Sequence, residues 1–194
     1  MFNGIFYNSG SVTNILRKKN SAEMVLNISI PFKNQDIGSS LSCNGVCLTI
    51  TKIKKNLIFF YLSKETLDRT NFKFTQLGDY INIERSLNYG TKISGHYVQG
   101  HIDTVGSVSN IKIIDKTWVV SIDIKKSFYK YLISKGSIAI NGVSLTISKI
   151  RKNGFEICII PHTLKLTNLI SLTKKNYVNI EFDIFSKYLF NLKK

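Results

Sequence analysis

Residues 44–56 read NGVCLTITKIKKN and residues 141–153 read NGVSLTISKIRKN, so one stretch of this chain is written twice, 97 positions apart. The copies agree at ten of thirteen positions, and the differences (Cys47 for Ser144, Thr51 for Ser148, Lys54 for Arg151) preserve size or charge. At the same offset Thr66-Leu67 matches Thr163-Leu164, Thr70-Asn71 matches Thr167-Asn168, and Ile81-Asn82-Ile83-Glu84 matches Val178-Asn179-Ile180-Glu181. An offset of 96 aligns Gly4 with Gly100 and Gly10-Ser11-Val12 with Gly106-Ser107-Val108. Solenoid and propeller repeats run to roughly 20–50 residues, so a period this long makes each copy a small domain. No Pro/Gly/Ser-rich linker separates the halves near Ile93-Ser94-Gly95, which predicts two packed units on a short connection.

Within each copy, short apolar or alternating runs are bounded by turn residues, the pattern of antiparallel strands. The runs fall at 4–8, 10–17, 23–30, 46–53, 57–62 and 79–84, and at 97–102, 105–113, 118–124, 143–150, 154–160 and 177–183. Six strands per half are too many for one flat sheet of this length, and closure into a small barrel removes the exposed edges. Lys64–Thr70 and Pro161–Thr167 read as loops opening a helical turn, with Pro161 suited to the first turn. The tail over residues 184–192 is apolar on most of one helical face and is expected to dock on its own domain or on another subunit.

Composition excludes several classes. No apolar run approaches the ~20 residues of a membrane span, and the opening MFNGIFYNSG has no basic region followed by an apolar one, so cytoplasmic location is expected. Cys43, Cys47 and Cys158 match neither a disulfide framework nor a zinc motif and are expected as free thiols. Cys43 and Cys47 are placed on one face of a strand, too far apart for easy pairing. The formal charge of +15 is spread over 27 basic residues of which only 4 are Arg, scattered rather than clustered. That describes a solvated lysine-rich surface rather than a nucleic-acid site, which leans on Arg and aromatic platforms. No phosphate loop or dinucleotide fingerprint is present.

The doubled box carries the candidate chemistry. Residues two apart share a strand face, so Cys47 and Thr49 point together, as do Ser144 and Thr146, while Leu48 and Leu145 point away. Either these groups line a pocket in each half or neighbouring backbone satisfies them. The stretch Gly95-His96-Tyr97-Val98-Gln99-Gly100-His101-Ile102-Asp103 holds two of only three histidines. Five apart on a strand, they face opposite ways and do not share a metal, so no metal site is expected. His101 is the one taken as a pocket residue able to transfer a proton. His162, opposite Glu65 in the repeat, is placed on a rim.

Five boxes in order, Met1-Phe2-Asn3-Gly4-Ile5, Asn44–Thr49, Gly95–Asp103, Asn141–Thr146 and Ile160-Pro161-His162-Thr163, resemble the riboflavin synthase family of the alpha-chain type over essentially the whole chain. The resemblance implies an all-β fold of two tandem six-stranded Greek-key barrels related by pseudo-twofold symmetry, over residues 1–96 and 97–183, with a short C-terminal helix at 184–194. It also implies a homotrimer, with each site between the N-terminal barrel of one subunit and the C-terminal barrel of a neighbour. The implied activity is a dismutation: two molecules of 6,7-dimethyl-8-ribityllumazine exchange a four-carbon unit to give riboflavin and 5-amino-6-ribitylaminouracil, with no cofactor. Association with lumazine synthase is a possible further partnership, and neither nucleic acid nor membrane is expected as a partner. A non-catalytic lumazine- or flavin-binding antenna protein on the same barrels is the alternative.

Carried onto this sequence, the N-terminal pocket is expected to use Gly4, Ile5 and Phe6, then Cys47, Leu48 and Thr49, and the loop of Tyr61, Leu62, Ser63, Lys64, Glu65 and Thr66. The C-terminal pocket is expected to use Gly100, His101 and Ile102, then Lys135, Ser144, Leu145 and Thr146, and the stretch Cys158, Ile159, Ile160, Pro161, His162 and Thr163. Cys47, Ser144, His101 and Thr146 are the candidate catalytic groups, with Lys135 and Asp183 in supporting roles. The tail departs from the family pattern in being a single short apolar stretch.

Overall fold

A computed structural model describes residues 1–192, so the part of the expected C-terminal helix at 193–194 lies outside the described residues. The N-terminal half contains β1 (Asn8–Lys18), β2 (Ser21–Ile28), β3 (Ser40–Cys43), β4 (Val46–Lys54), β5 (Leu57–Ser63), the short helix α1 (Lys64–Arg69) and β6 (Tyr80–Arg85). The C-terminal half repeats the order as β7 (Thr104–Ile114), β8 (Thr117–Asp123), β9 (Ser137–Ile140), β10 (Val143–Arg151), β11 (Gly154–Ile159), α2 (Pro161–Leu166) and β12 (Tyr177–Phe182), followed by α3 (Ile184–Leu192). The first six strands close as β1-β2-β5-β4-β3-β6 and the second six in the equivalent order, every pairing antiparallel. The expected pair of six-stranded barrels is therefore present, but one strand in each is not the one foreseen. Residues 4–7 form no strand and 97–102 contribute only Val98 to the isolated Phe2–Val98 bridge, and the places expected for them are taken by β3 and β9. Gly4 and Gly100, at φ +75° and +81°, interrupt any extended run there, while β3 (SLSC) is too short and polar to signal itself.

Barrel closure needs strands that coil. The register slips once in β1 between Val12 and Asn14 and once in β4 between Ile50 and Lys52, with matching slips at Val108/Asn110 and Ile147/Lys149. Each bulged residue is Thr or Ser, and its hydroxyl donates to a carbonyl on the adjacent strand: Thr13 to Val25, Thr51 to Phe59, Ser109 to Ser121, Ser148 to Glu156. An extra residue bends a strand and raises its twist, and the hydroxyl occupies a carbonyl that the slipped ladder leaves short. The Thr51/Ser148 difference in the repeat keeps that hydroxyl.

Each barrel has its own apolar core, around Met24, Leu26, Phe60 and Ile81 in one and Val120, Ile122, Phe155 and Ile180 in the other. Between them lies an asparagine lock. Asn82 and Asn179, both fully buried, donate from Nδ2 to the main-chain oxygens of Asn141 and Asn44 across the interface. Their side-chain oxygens accept the backbone N–H of Asn168 and Asn71, also from the opposite half, at 2.7 Å each. Buried amides pay a desolvation cost unless paired, so this network fixes the angle between the barrels. The turns Asn44-Gly45 and Asn141-Gly142, with both residues of each at positive φ, meet back to back at the same interface.

Candidate functional site

Two segments outside the strands build the candidate site, and they cross. Residues 1–7 and 96–103 run antiparallel at the Phe2–Val98 bridge, where Phe2 N–H donates to Val98 O at 2.7 Å and Val98 N–H to Phe2 O at 3.1 Å. Each strap then seats on the barrel of the other half. Gly4 O accepts the Ser144 N–H at 2.9 Å, and Phe6 is buried in the C-terminal core. Gly100 O accepts the Cys47 N–H at 2.8 Å, and Ile102 packs against the N-terminal core. A Cβ on Gly100 would stand 2.6 Å from Cys47 Cβ, and one on Gly4 would stand 2.8 Å from Ser144 Cβ, so only glycine lets the straps approach this closely.

This reverses the expected grouping. Gly4, Ile5 and Phe6 belong with the Ser144-Leu145-Thr146 box, and Gly100, His101 and Ile102 with the Cys47-Leu48-Thr49 box. A sequence repeat shows which residues are equivalent, not which copy they touch, and an arm exchanged between two copies reads the same as one that folds back.

In the N-terminal half a cleft of about 470 Å³ is lined by Cys47, Glu65, Thr66, Arg69, Gly100, His101, Ile102 and Lys187 among others. Its volume suits a small heterocycle. The α1 residues are held by Ser63, which caps the helix and accepts the Thr66 N–H at 3.1 Å. Leu48, Leu62 and Ile159 have their side chains in the barrel cores. Thr49 and Thr146 are exposed on the Cys47 and Ser144 faces of β4 and β10, in keeping with the alternation read from sequence. Tyr61, Lys64, Lys135, Cys158, Ile160, Pro161 and His162 are likewise exposed, and Leu145 and Thr163 partly so. Cys43 and Cys47 flank the Asn44-Gly45 turn on separate strands, not one strand face as expected, because the turn falls between them. All three cysteines are free, and burial pushes the Cys43 thiol well up, which keeps it protonated.

In the C-terminal half His96 Nδ1 lies 2.7 Å from Ser144 Oγ. The imidazole is 9% exposed, and its Nε2 is buried with no hydrogen-bond partner among the described residues. Burial lowers the His96 pKa, against the pull of the Asp183 carboxylate, so the ring is neutral at pH 7 and able to take the serine proton. His96, rather than the expected His101, is therefore the histidine in hydrogen-bond contact with a box residue. The segment is not a strand with two faces but an irregular strap that carries His96 to Ser144 and His101 to the Cys47 cleft. The adjacent Gly95 was the available signal: a Cβ there would stand 2.0 Å from Asn3 O.

A further cleft of about 450 Å³ opens between the barrels beside Asn71, Asn168, Asp79 and Lys175, and carries no histidine or cysteine. Among the described residues no group of three or more His, Cys, Asp or Glu is placed to hold a metal.

Fold and site together define the class: a duplicated barrel protein that presents two related but chemically unequal clusters, thiol with imidazole in one half and hydroxyl with imidazole in the other. The lumazine binding domain family matches residues 3–86 and 99–183, once per half. A riboflavin synthase of Buchnera aphidicola subsp. Schizaphis graminum is 41% identical over 97% of this chain and 92% of its own length. That of Bacillus subtilis is 32% identical over 98% and 88%. Among solved structures, LumP complexed with riboflavin superposes with a TM-score of 0.84 at 26% identity, covering 94% of this chain and 99% of that one. LumP complexed with 6,7-dimethyl-8-(1'-D-ribityl) lumazine gives 0.81. The chain belongs to the riboflavin synthase family of lumazine-binding proteins.

Proposed function

We propose that the chain catalyses the riboflavin synthase reaction, transferring a four-carbon unit between two molecules of 6,7-dimethyl-8-ribityllumazine to give riboflavin and 5-amino-6-ribitylaminouracil. Atoms and electrons balance between the two substrates, so no outside cofactor takes part. One lumazine loses a proton from its acidic 7-methyl group, and the other accepts a nucleophile at ring carbon C7. Holding the two rings together supplies much of the acceleration by proximity. The observation that carries this reading is the Ser144–His96 contact at 2.7 Å in one half, alongside a cleft in the other half that Cys47 and His101 both line. A carrier of one ligand has no use for both.

In the reading we favour, His96 takes the Ser144 proton as Ser144 or a water it polarises adds at C7. His101 moves the methyl proton in the other half, and Thr49 and Thr146 hydrogen-bond the ring systems. Gly4 to Phe6, Tyr61 to Thr66, Gly100 to Ile102, Lys135 and Cys158 to Thr163 surround the substrates. The working assembly in this reading is a cytoplasmic homotrimer, with the N-terminal barrel of one subunit facing the C-terminal barrel of the next. The apolar side chains left exposed on α3 support that assembly: Phe185, Tyr188, Leu189 and Leu192 are 56–81% exposed. No described helix is long and apolar enough to cross a membrane. Incubating the protein with 6,7-dimethyl-8-ribityllumazine alone and following riboflavin absorbance tests the activity. Binding without riboflavin formation would move the protein to the antenna-type alternative.

A further inference from the structure

The motif that ends each repeat, Asn82-Ile83-Glu84 and Asn179-Ile180-Glu181, buries a carboxylate in each barrel, and the chemistry above uses neither. Glu84 is 8% exposed and Glu181 2%. Glu84, on β6, accepts the backbone N–H of Asn3 at 2.8 Å and of Gly4 at 3.0 Å, one per oxygen. Glu181, on β12, accepts those of Gln99 at 2.7 Å and Gly100 at 2.9 Å. Both carboxylates thus clamp two successive peptides of a strap.

What the clamped peptides do next is the informative part. The Gly4 peptide, pinned through its N–H by Glu84 of the N-terminal barrel, presents its carbonyl to the Ser144 N–H of the C-terminal barrel. Asn3 O, in the same peptide unit as the pinned Gly4 N–H, accepts the His96 N–H at 3.3 Å. The Gly100 peptide, pinned by Glu181 of the C-terminal barrel, presents its carbonyl to the Cys47 N–H of the N-terminal barrel and carries His101 as the next residue. A carboxyl group that accepts two N–H groups, one on each oxygen, fixes both the position and the plane of the strap.

We propose that Glu84 and Glu181 are positioning residues that act crosswise: Glu84 sets the geometry of the Ser144–His96 cluster in the opposite barrel, and Glu181 that of the Cys47–His101 cluster. The assignment rests on the function proposed above but is tested separately from it. Replacement by Gln keeps the shape and turns one acceptor oxygen into an N–H₂ donor that faces a backbone donor, which releases one arm of the clamp.

The experiment uses the full-length chain with E84Q and E181Q. Imidazole ¹H–¹⁵N spectra resolve the three histidines, and alkylation by iodoacetamide followed by peptide mass reads Cys47 apart from Cys43 and Cys158. E84Q is expected to displace the His96 ring signals and leave His101 and the Cys47 alkylation rate as in the wild type. E181Q is expected to displace His101, change Cys47 alkylation severalfold, and leave His96 in place. Both are expected to lower turnover of the lumazine about 10- to 100-fold, in kcat more than in KM, as small misplacements of reacting groups do. E84D and E181D, which retain both acceptor oxygens one methylene further back, carry the same readouts if a Gln variant does not fold. Displacement within the barrel that bears the mutated residue, or of both clusters together, would overturn the crosswise assignment. Wild-type protein that makes no riboflavin would defeat the proposed function and leave the spectral test standing.

Discussion

At Cys47 and Ser144 the two copies differ by one atom, sulfur for oxygen, on the same strand position beside the same kind of glycine strap. Cys47→Ser makes the boxes alike there and is expected to lower riboflavin formation at least about tenfold while the melting temperature moves by no more than a degree or two; full activity would remove the thiol from the mechanism. Glu181 offers a second test. Burial raises its carboxyl from the ordinary 4.5 to about 7, against the backbone N–H groups of Gln99 and Gly100 and the Lys187 ammonium, with Asp103 pushing the same way as burial. The folded state therefore holds this proton more tightly than the unfolded chain, and stability from this group is greatest below pH 4.5 and declines as pH rises to about 7, by on the order of 3 kcal/mol. His96, whose pKa is lowered, works in the opposite direction and favours the folded state as pH rises through 6.5. Comparing melting curves of wild type and Glu181→Gln cancels the histidine. Between pH 5 and pH 7.5 the wild type is expected to lose about 5–10 °C relative to the variant, and parallel curves would refute the buried proton. The shared facing of Cys47 with Thr49 and of Ser144 with Thr146 is legible in the sequence because strand alternation alone places them, whereas the turn between Cys43 and Cys47 separates two thiols that spacing puts on one face. His96 is not legible there, since its role depends on where an irregular strap crosses.

Among the elements, the hairpins at Asn44-Gly45 and Asn141-Gly142 are read directly from sequence, because two successive positive φ angles call for Asn-Gly. Their contact with one another is not, since it depends on how the barrels dock. A Cβ on Gly45, at φ +79°, would lie 2.5 Å from Gly142 N. Gly45→Ala is expected to cost about 3 kcal/mol or more, from the left-handed conformation and the collision together. Gly78→Ala, at φ +86° with nothing within 4 Å of the new methyl, is expected to cost only about 1–2 kcal/mol. Equal losses in chemical denaturation would show that the turns do not press on each other. Six strands per barrel agree with the sequence, but one of the six in each half is a different segment. The repeat and the alternation gave five strands per half correctly, but the sixth was assigned to an apolar strap, where Phe6 and Ile102 serve the core of the opposite barrel. The true β3 and β9 are four residues each and hold their places by pairing on both sides.

For the molecule as a whole, α3 leaves an apolar face uncovered. Lys187 binds Asp103 at 3.0 Å and Phe190 meets Tyr131 edge-on, so one side of the helix docks on its own barrel. Phe185, Tyr188, Leu189 and Leu192 remain outside. The homotrimer proposed above predicts that removing residues 184–194 leaves a monomer in light scattering and abolishes turnover, and a truncated chain that is still a trimer would show that the tail does not assemble it. The crossed straps carry a different consequence. Reciprocal exchange of an arm is how two identical subunits swap into a dimer, so the chain has the form of an ancestral swapped homodimer joined end to end. Fusion makes the encounter of the halves intramolecular and frees them from having to remain identical. A swapped homodimer must place the same side chain in both sites; a fused one accumulates separate substitutions in each, as at Cys47 against Ser144 and His101 against Ile5.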